Sequence, residues 1–317
     1  MKIAVIGTES LGVRALACVV HTGKRRILID PGVALGYMRN GRLPHPRQVA
    51  VGAAVRERLL AEIPLATDII FSHYHGDHVP LKEANPYQLP LPRVPAITDD
   101  VRLWAKGPDG LSAHSLRRRE ELAAHLGREL SPAEETGDDI LSFSRPVFHG
   151  TSKVHTGTVM MTRVRDGGGT FVHASDIQML GREAVDLIIA WEPDTVLAAG
   201  PPLYLRRLSA EEETLAWDNA STLAASVPTL ILDHHLLRSR EGWRWLERLA
   251  GRAEGRVLSA AAYMGRSPLL MEADREELYE EFPVPPRWHD DYARGAADVG
   301  DFVDAGLERE IEKIRTP

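Results

Sequence analysis

The stretch Ser72-His73-Tyr74-His75-Gly76-Asp77-His78 constrains this chain more than any other. It crowds three histidines and one carboxylate into positions 73 to 78, directly after the apolar run 66–71. That run ends Asp-Ile-Ile-Phe, β-branched and aromatic, and reads as a buried strand running out into a loop. Alternate residues of an extended strand end face the same way. His73 and His75 therefore converge on one cation, while Asp77 and His78, on the turn beyond, reach a second. Neutral imidazoles with a carboxylate suit Zn²⁺, with Fe or Mn as the other candidates. A polar loop with a chance histidine would explain one such side chain, but not four in the order H-x-H-x-D-H.

Bulk properties fit a soluble enzyme. A chain of 317 residues that is 44% hydrophobic can bury a substantial core. A net charge of −7 and a pI near 6.0 argue against binding long nucleic acid by bulk electrostatics. The single cysteine, Cys18, excludes an internal disulfide and a cysteine-rich zinc module. It lies in an apolar run and reads as a buried small hydrophobe rather than a nucleophile. No basic region precedes an apolar segment at the N-terminus, and no apolar run approaches about 18 residues. The expectation is a cytoplasmic protein with no membrane partner.

Short β-rich runs alternate with helical ones. Strands are expected at 2–7, 15–22 and 26–30, the last two joined in a hairpin at Thr22-Gly23-Lys24. A helix over 47–62 follows from Val51, Val55 and Leu59, and Pro64 closes it. Residues 79–140 are the least regular, with a Pro-rich stretch before a charged helix at about 115–128. Strands follow at 141–148, 158–165 and 170–174, then a helix at 182–191 and a strand at 195–199. A helix at 211–225, a strand at 228–233 and a last strand near 256–261 complete the pattern, in a C-terminal third that is mostly helix. Strand clusters alternating with helices argue for two sheets covered by helices on both outer faces.

Further ligands must come from other strand ends. Asp176 follows the strand after the triple-glycine turn, and a carboxylate there could bridge two metals, although Asp is also common as a cap or turn residue. His149 ends the strand before it, and His155 lies in the following loop. His234 and His235 end the apolar strand at 228–233. Each alone reads as an ordinary loop or core histidine; their succession at strand ends, downstream of the H-x-H-x-D-H cluster, changes that weighting.

With these motifs the chain resembles metallo-β-lactamase-fold hydrolases along most of its length, including an early Asp30 at the end of the third strand. More closely, it is similar to a mainly archaeal, functionally uncharacterised branch of that superfamily. The shared strings are Glu9-Ser10-Leu11-Gly12-Val13-Arg14, Asp30-Pro31-Gly32-Val33-Ala34-Leu35, His149-Gly150, His173-Ala174-Ser175-Asp176-Ile177-Gln178 and Asp233-His234-His235-Leu236-Leu237-Arg238. The resemblance implies an α/β fold, a four-layer αββα sandwich forming one domain over 1–317. A Pro-rich and helical insertion at 81–130 would be a lid or arm, and the mostly helical part at 239–317 would pack on the sandwich.

It also implies two divalent metal ions, zinc first and Fe or Mn otherwise. One would be held by His73, His75 and either His149 or His155. The other would be held by Asp77, His78 and either His234 or His235, with Asp176 bridging. His149 is preferred because it sits at a strand end and precedes Gly157 as in tRNA-processing members; His155 only imperfectly matches the His-x-x-Gly of glyoxalase-like members. His234 is preferred because His234 to Arg238 reproduces the His-x-x-x-Arg spacing of nuclease-like members. Asp30, Asp233 and Ser175 are expected to hold histidine N–H groups, and Tyr74 and Tyr204 to pack.

Two cations about 3.5–4 Å apart lower the pKa of a shared water toward neutrality, giving a hydroxide nucleophile, and they stabilise the oxyanion that develops. Asp77 would orient that nucleophile or relay its proton. The first functional expectation is a phosphodiesterase acting on a nucleotide or short RNA. The alternatives are hydrolysis of a small ester, lactone or thioester, and a non-catalytic metal-binding protein. Asp176 and His234 are too close in sequence for the large inserted domain of the long-RNA-cleaving members. An electron-transfer diiron role is disfavoured, since that branch has Glu where this chain has His75. The basic residues of the insertion (Arg102, Lys106, Arg117, Arg118 and Arg119) read either as the ordinary charged face of a solvated helix or as one surface facing an anionic substrate. Oligomeric state is left open.

Overall fold

A computed structural model describes residues 1–151, 157–205, 208–253 and 256–316. β1 (Lys2–Gly7), β2 (Ala17–His21), β3 (Arg26–Ile29), β4 (Asp68–Phe71) and β5 (Arg102–Ala105) form one sheet in that order. β1 to β3 are antiparallel, and β3, β4 and β5 are parallel. The chain then adds β6 (Leu141–Phe143), β7 (Val147–Phe148), β8 (Thr158–Val159), β9 (Thr162–Asp166), β10 (Gly169–His173), β11 (Thr195–Ala198), β12 (Thr229–Leu232) and β13 (Arg256–Leu258). Six of these make a second sheet in the order β13-β12-β11-β10-β9-β6, while β7 pairs with β8 alone. β10 to β13 run parallel.

The helices are α1 (Pro46–Glu62), α2 (Ala113–Leu126), α3 (Arg182–Ala190), α4 (Ala210–Ser226), α5 (Arg240–Ala250), α6 (Ala260–Tyr263), α7 (Arg275–Glu281), α8 (Trp288–Ala293) and α9 (Ala305–Arg315). Local chemistry sets their ends. Pro46 opens α1 behind the His45 cap. Ser209 and Glu212 close a reciprocal capping box on α4. Gly127, at φ 62°, ends α2.

Strand alternation sorts the core into three layers. Cys18, Val20, Ile27, Ile29 and Ile70 of the first sheet face Phe143, Val164, Phe171, Leu197 and Ile231 of the second. Their chain neighbours point outward: Val19, Leu28 and Ile69 pack on α1 and α9, and Val172, Val196 and Leu230 pack on α3, α4 and α5. Period-2 side-chain direction thus builds helix, sheet, sheet and helix in succession, the four-layer αββα architecture expected. Residues beyond 239 reach both outer faces, with Trp245 and Leu249 on the second sheet's layer and Trp288, Leu307 and Ile311 on the first. No described helix is long and apolar enough to cross a membrane. Cys18 is buried between the sheets, where desolvation pushes its thiol well up.

Two local expectations are corrected. The strands expected at 141–148 and 158–165 are each two: Pro146, which lacks an N–H, breaks the first, and β7 and β8 pair with each other outside the second sheet while β6 and β9 pair within it. The irregular 79–140 segment contains β5, an edge strand of the first sheet. Its basic residues do not share one free surface. Arg102 donates to Asp68 at 2.8 Å, buried Lys106 pairs with Glu134 at 2.8 Å, and Arg119 hydrogen-bonds the Lys106 and Leu130 carbonyls. Of these five, Arg117, 3.9 Å from Glu121, and Arg118 remain for such a surface.

Candidate metal centre

The carboxyl ends of β3, β4, β10 and β12 open onto one edge of the sandwich, and each delivers polar side chains there: Asp30, Ser72 to His78, Ser175 and Asp176, and Asp233 to His235. Edges of this kind, outside the carboxyl ends of parallel strands, are where α/β sheets gather ligands. The backbone is bent to make the site. Asp30, Ser175 and His234 have φ of 50°, 54° and 24°, a region ordinary residues avoid. Gly32 lets the metal loop lie flat on the β3 exit, because a Cβ there would come within 2.2 Å of the His78 carbonyl carbon and Val79 N.

Asp176 is the hub. Its Oδ2 lies 2.7 Å from His149 Nε2, 3.2 Å from His235 Nε2, 3.4 Å from His73 Nε2 and 3.8 Å from His75 Nδ1. Its Oδ1 faces the other way, 3.0 Å from His78 Nε2 and 3.4 Å from His234 Nε2. Asp77 Oδ2 approaches His234 Nε2 at 3.5 Å. Ligand atoms of His73, His75, His149 and Asp176 form one compact group, those of Asp77, His78 and His234 a second, those of Asp176, His234 and His235 a third, and those of Asp30, His73 and His78 a fourth. All seven ligands preferred from sequence meet here. His235 joins them rather than competing with His234. His155 lies outside the described residues.

Supporting contacts fix the rings. Asp30 Oδ2 takes His78 Nδ1 at 2.9 Å and also Ser72 Oγ. Ser175 Oγ and Ser72 Oγ meet at 2.7 Å and flank His73 Nδ1 at 3.3 and 3.0 Å. Asp233 does not reach a ring. It accepts from the backbone amides of Ser10, His234 and Ala260, each at 2.9 Å, and from Thr8 Oγ1, so it pins the loops instead. Tyr74 is fully buried and donates to the Lys106 carbonyl, a packing role as expected. Sequence reasoning missed Ser72, Gln178 and the Glu9 carboxylate under Arg238.

Electrostatics leave most of the rings as free bases. Burial first, then His78 and His75, pushes His73 down to about 3. Burial and then Arg238 push His234 down to about 4. Burial also lowers His149 and His235. His78 goes the other way: burial opposes, but Asp176 and Asp30 carry it well above 6.5. Asp176 stays ionised, since His78, His235, His234 and His73 outweigh the burial that would raise it. Between pH 6.5 and about 4, an unfolded chain binds protons at His73 and His234 that the folded chain refuses, and His78 offsets one of them. Stability is therefore present above pH 6.5 and is lost on acidification. The melting temperature of chelator-treated protein should fall from pH 7 to pH 5; a flat or rising profile would place these rings in water.

The donor set also fits a cation. Asp176 Oδ1 is enclosed and makes no well-aligned hydrogen bond among the described residues, its nearest donor being His78 Nε2 at 3.0 Å, so a lone pair is left for a cation. Imidazole and carboxylate donors around such an oxygen are a borderline-hard ligand set.

No protein-family model matches the chain. It is 52% identical over 303 residues to the UPF0282 protein of Methanosarcina mazei, covering 96% of this chain and 100% of the relative. The UPF0282 protein of Pyrococcus abyssi is 34% identical over 290 residues, covering 88% of this chain and 93% of the relative. Among solved structures, a metal-dependent hydrolase of the β-lactamase superfamily aligns with 78% of this chain and 88% of its own, at 15% identity and a TM-score of 0.47. This chain belongs to the UPF0282 family.

Proposed function

We propose that this chain is a metal-dependent hydrolase with two divalent cations, zinc first, and that it cleaves a phosphodiester in a nucleotide or short RNA. The observation that carries the reading is Asp176, whose two oxygens each face a separate histidine group. His73, His75, His149 and Asp176 would hold one cation; Asp77, His78, His234 and Asp176 the other, with His235 a further donor beside Asp176. Bound cations would supply Lewis-acid polarisation and an activated water. Asp77 remains an ionised carboxylate, because His234, His78 and Arg238 outweigh its burial. It orients the attacking water and does not deliver a proton. Arg238 Nη2 lies 2.8 Å from His234 Nε2, so it contends for the lone pair a second cation needs. The Asp77 side is therefore the weaker position.

The preference for an anionic substrate rests on the rim. Arg118 is half-buried, donates only to the Tyr74 carbonyl at 3.2 Å, and makes no ion pair among the described residues, with Asp77 its main carboxylate influence. On the opposite side Arg39 stacks on Tyr204 at 5.2 Å and bonds the Arg238 carbonyl. An unpaired guanidinium beside a cation centre favours phosphate oxygens. Arg118→Gln should raise KM for an anionic substrate about tenfold, the loss of one charge-assisted contact, with metal content unchanged and a weaker salt dependence. Unchanged kinetics at low salt would remove Arg118 from recognition.

The reaction is tested by offering zinc-loaded and chelator-treated protein bis(p-nitrophenyl) phosphate, thioesters and lactones. Diester turnover that chelation abolishes is expected. Turnover confined to acyl substrates would move the assignment to a small ester, lactone or thioester, and bound metal without turnover would leave a binding protein.

A further inference from the structure

Gln178 lies two residues beyond Asp176 and is 7% exposed. Its backbone N–H donates to the His149 carbonyl at 3.3 Å. Its side-chain amide lies 3.1 Å from His149 Nδ1 and 3.0 Å from His235 Nδ1. The far nitrogens of the same two rings face a single oxygen, Asp176 Oδ2, at 2.7 and 3.2 Å. Each ring is thus held at both ends, between one amide and one carboxylate, although His149 and His235 are 86 positions apart in sequence.

We propose that Gln178 is the positioning residue that pairs His149 with His235 against Asp176, and that its amide serves two tautomers of that pair. The inference rests on the metal-centre reading above. As placed, the amide NH₂ donates to both Nδ1 atoms, and the Nε2–H groups donate to Asp176. A ring that ligates through Nε2 carries its proton on Nδ1 and needs an acceptor there. The ring stays neutral, losing the Nε2 proton and gaining one at Nδ1. A half-turn of the Gln178 amide then brings Oε1 to the same spot, and its two lone pairs accept from both rings. Leucine would serve neither state, and glutamate, an acceptor only, would serve the ligating state alone. Glutamine at 178 is the side chain that fits both.

The test compares zinc affinity of wild type, Gln178→Leu and Gln178→Glu by competition against a colorimetric zinc chelator, with the Co²⁺ absorption spectrum as a second readout. Gln178→Leu should bind zinc about 10- to 100-fold more weakly, the usual consequence of losing a ligand's orienting partner, while its chelator-treated form stays folded but melts lower than wild type, because leucine leaves both Nδ1 atoms without a donor. Gln178→Glu should match or exceed wild-type affinity and keep its Co²⁺ spectrum. Equal affinity of wild type and Gln178→Leu, or a Gln178→Glu as weak as the leucine variant, would overturn the proposal. Should the leucine variant not fold, Gln178→Glu decides alone, and a tenfold loss in it overturns the proposal. A wild type that takes up neither Zn²⁺ nor Co²⁺ would overturn the metal centre and this inference with it, a result the two variants cannot mimic.

Discussion

Asp176→Asn is expected to strip the chain of metal and of all hydrolysis while leaving it folded. The substitution keeps the shape of the side chain, so the packing around β10 is preserved. It replaces one of two ligating oxygens with an NH₂ that cannot donate a lone pair. Whichever way the amide turns, that NH₂ faces either His73, His75, His149 and His235 or His78 and His234. One group therefore loses its carboxylate outright, and the other loses the negative charge. The expected metal content is below about a tenth of wild type under the same loading, since even an indirect contact is worth 10- to 100-fold in affinity. His78 would also lose one of the two carboxylates that raise it, keeping Asp30. Elemental analysis with far-UV circular dichroism checks this, and a folded variant holding wild-type metal would refute the hub role.

Arg238→Met should produce the largest loss of stability of any substitution at the rim of the site. The guanidinium is 4% exposed and binds Glu9 Oε1 at 2.8 Å, Tyr204 Oη at 3.1 Å and Asp77 Oδ2 at 3.2 Å. Removing it leaves Glu9, 2% exposed, facing Glu272 with only the weaker influence of Arg14. Breaking a buried pair from one side costs about 3–5 kcal/mol. Burial and then Glu272 already push Glu9 well up, so it can escape by taking a proton, which places the loss toward the lower figure and makes it larger at high pH. Glu9→Gln added to Arg238→Met should recover part of it. Urea unfolding of the two single variants and the double variant measures the effect; a single-variant loss under about 1 kcal/mol, the scale of surface pairs, would show the network to be dispensable.

Much of the site was legible because strand ends are legible. His73 and His75 share a side through alternation, and the apolar runs before His149, Asp176 and His234 announce where each strand gives out. What was not legible is contact across sequence. Arg238 and Glu9 are separated by 229 positions, and no local pattern pairs them. His234 and His235 looked like alternatives because neighbours on a strand face opposite ways. The strand ends at Leu232, though, and the φ of 24° at His234 brings both rings round to within 4.7 Å of each other. Gln178 and Ser72 resemble any polar loop residue until the rings they hold are in place. β5 escaped because Arg102-Leu103-Trp104-Ala105 is short, half-exposed and preceded by a Pro-rich stretch, so its pairing with β4 is a tertiary fact.

The proposal of a two-cation centre at this cluster is open to direct measurement. The direct measurement is the zinc-to-protein ratio, by elemental analysis and calorimetric titration, of wild type and of His73→Ala after stripping and reloading. Two equivalents are expected in wild type, the second weaker because it must displace Arg238 from His234, with a clear loss of metal in His73→Ala. No bound metal in wild type, or full occupancy of both positions in His73→Ala, would contradict the proposal.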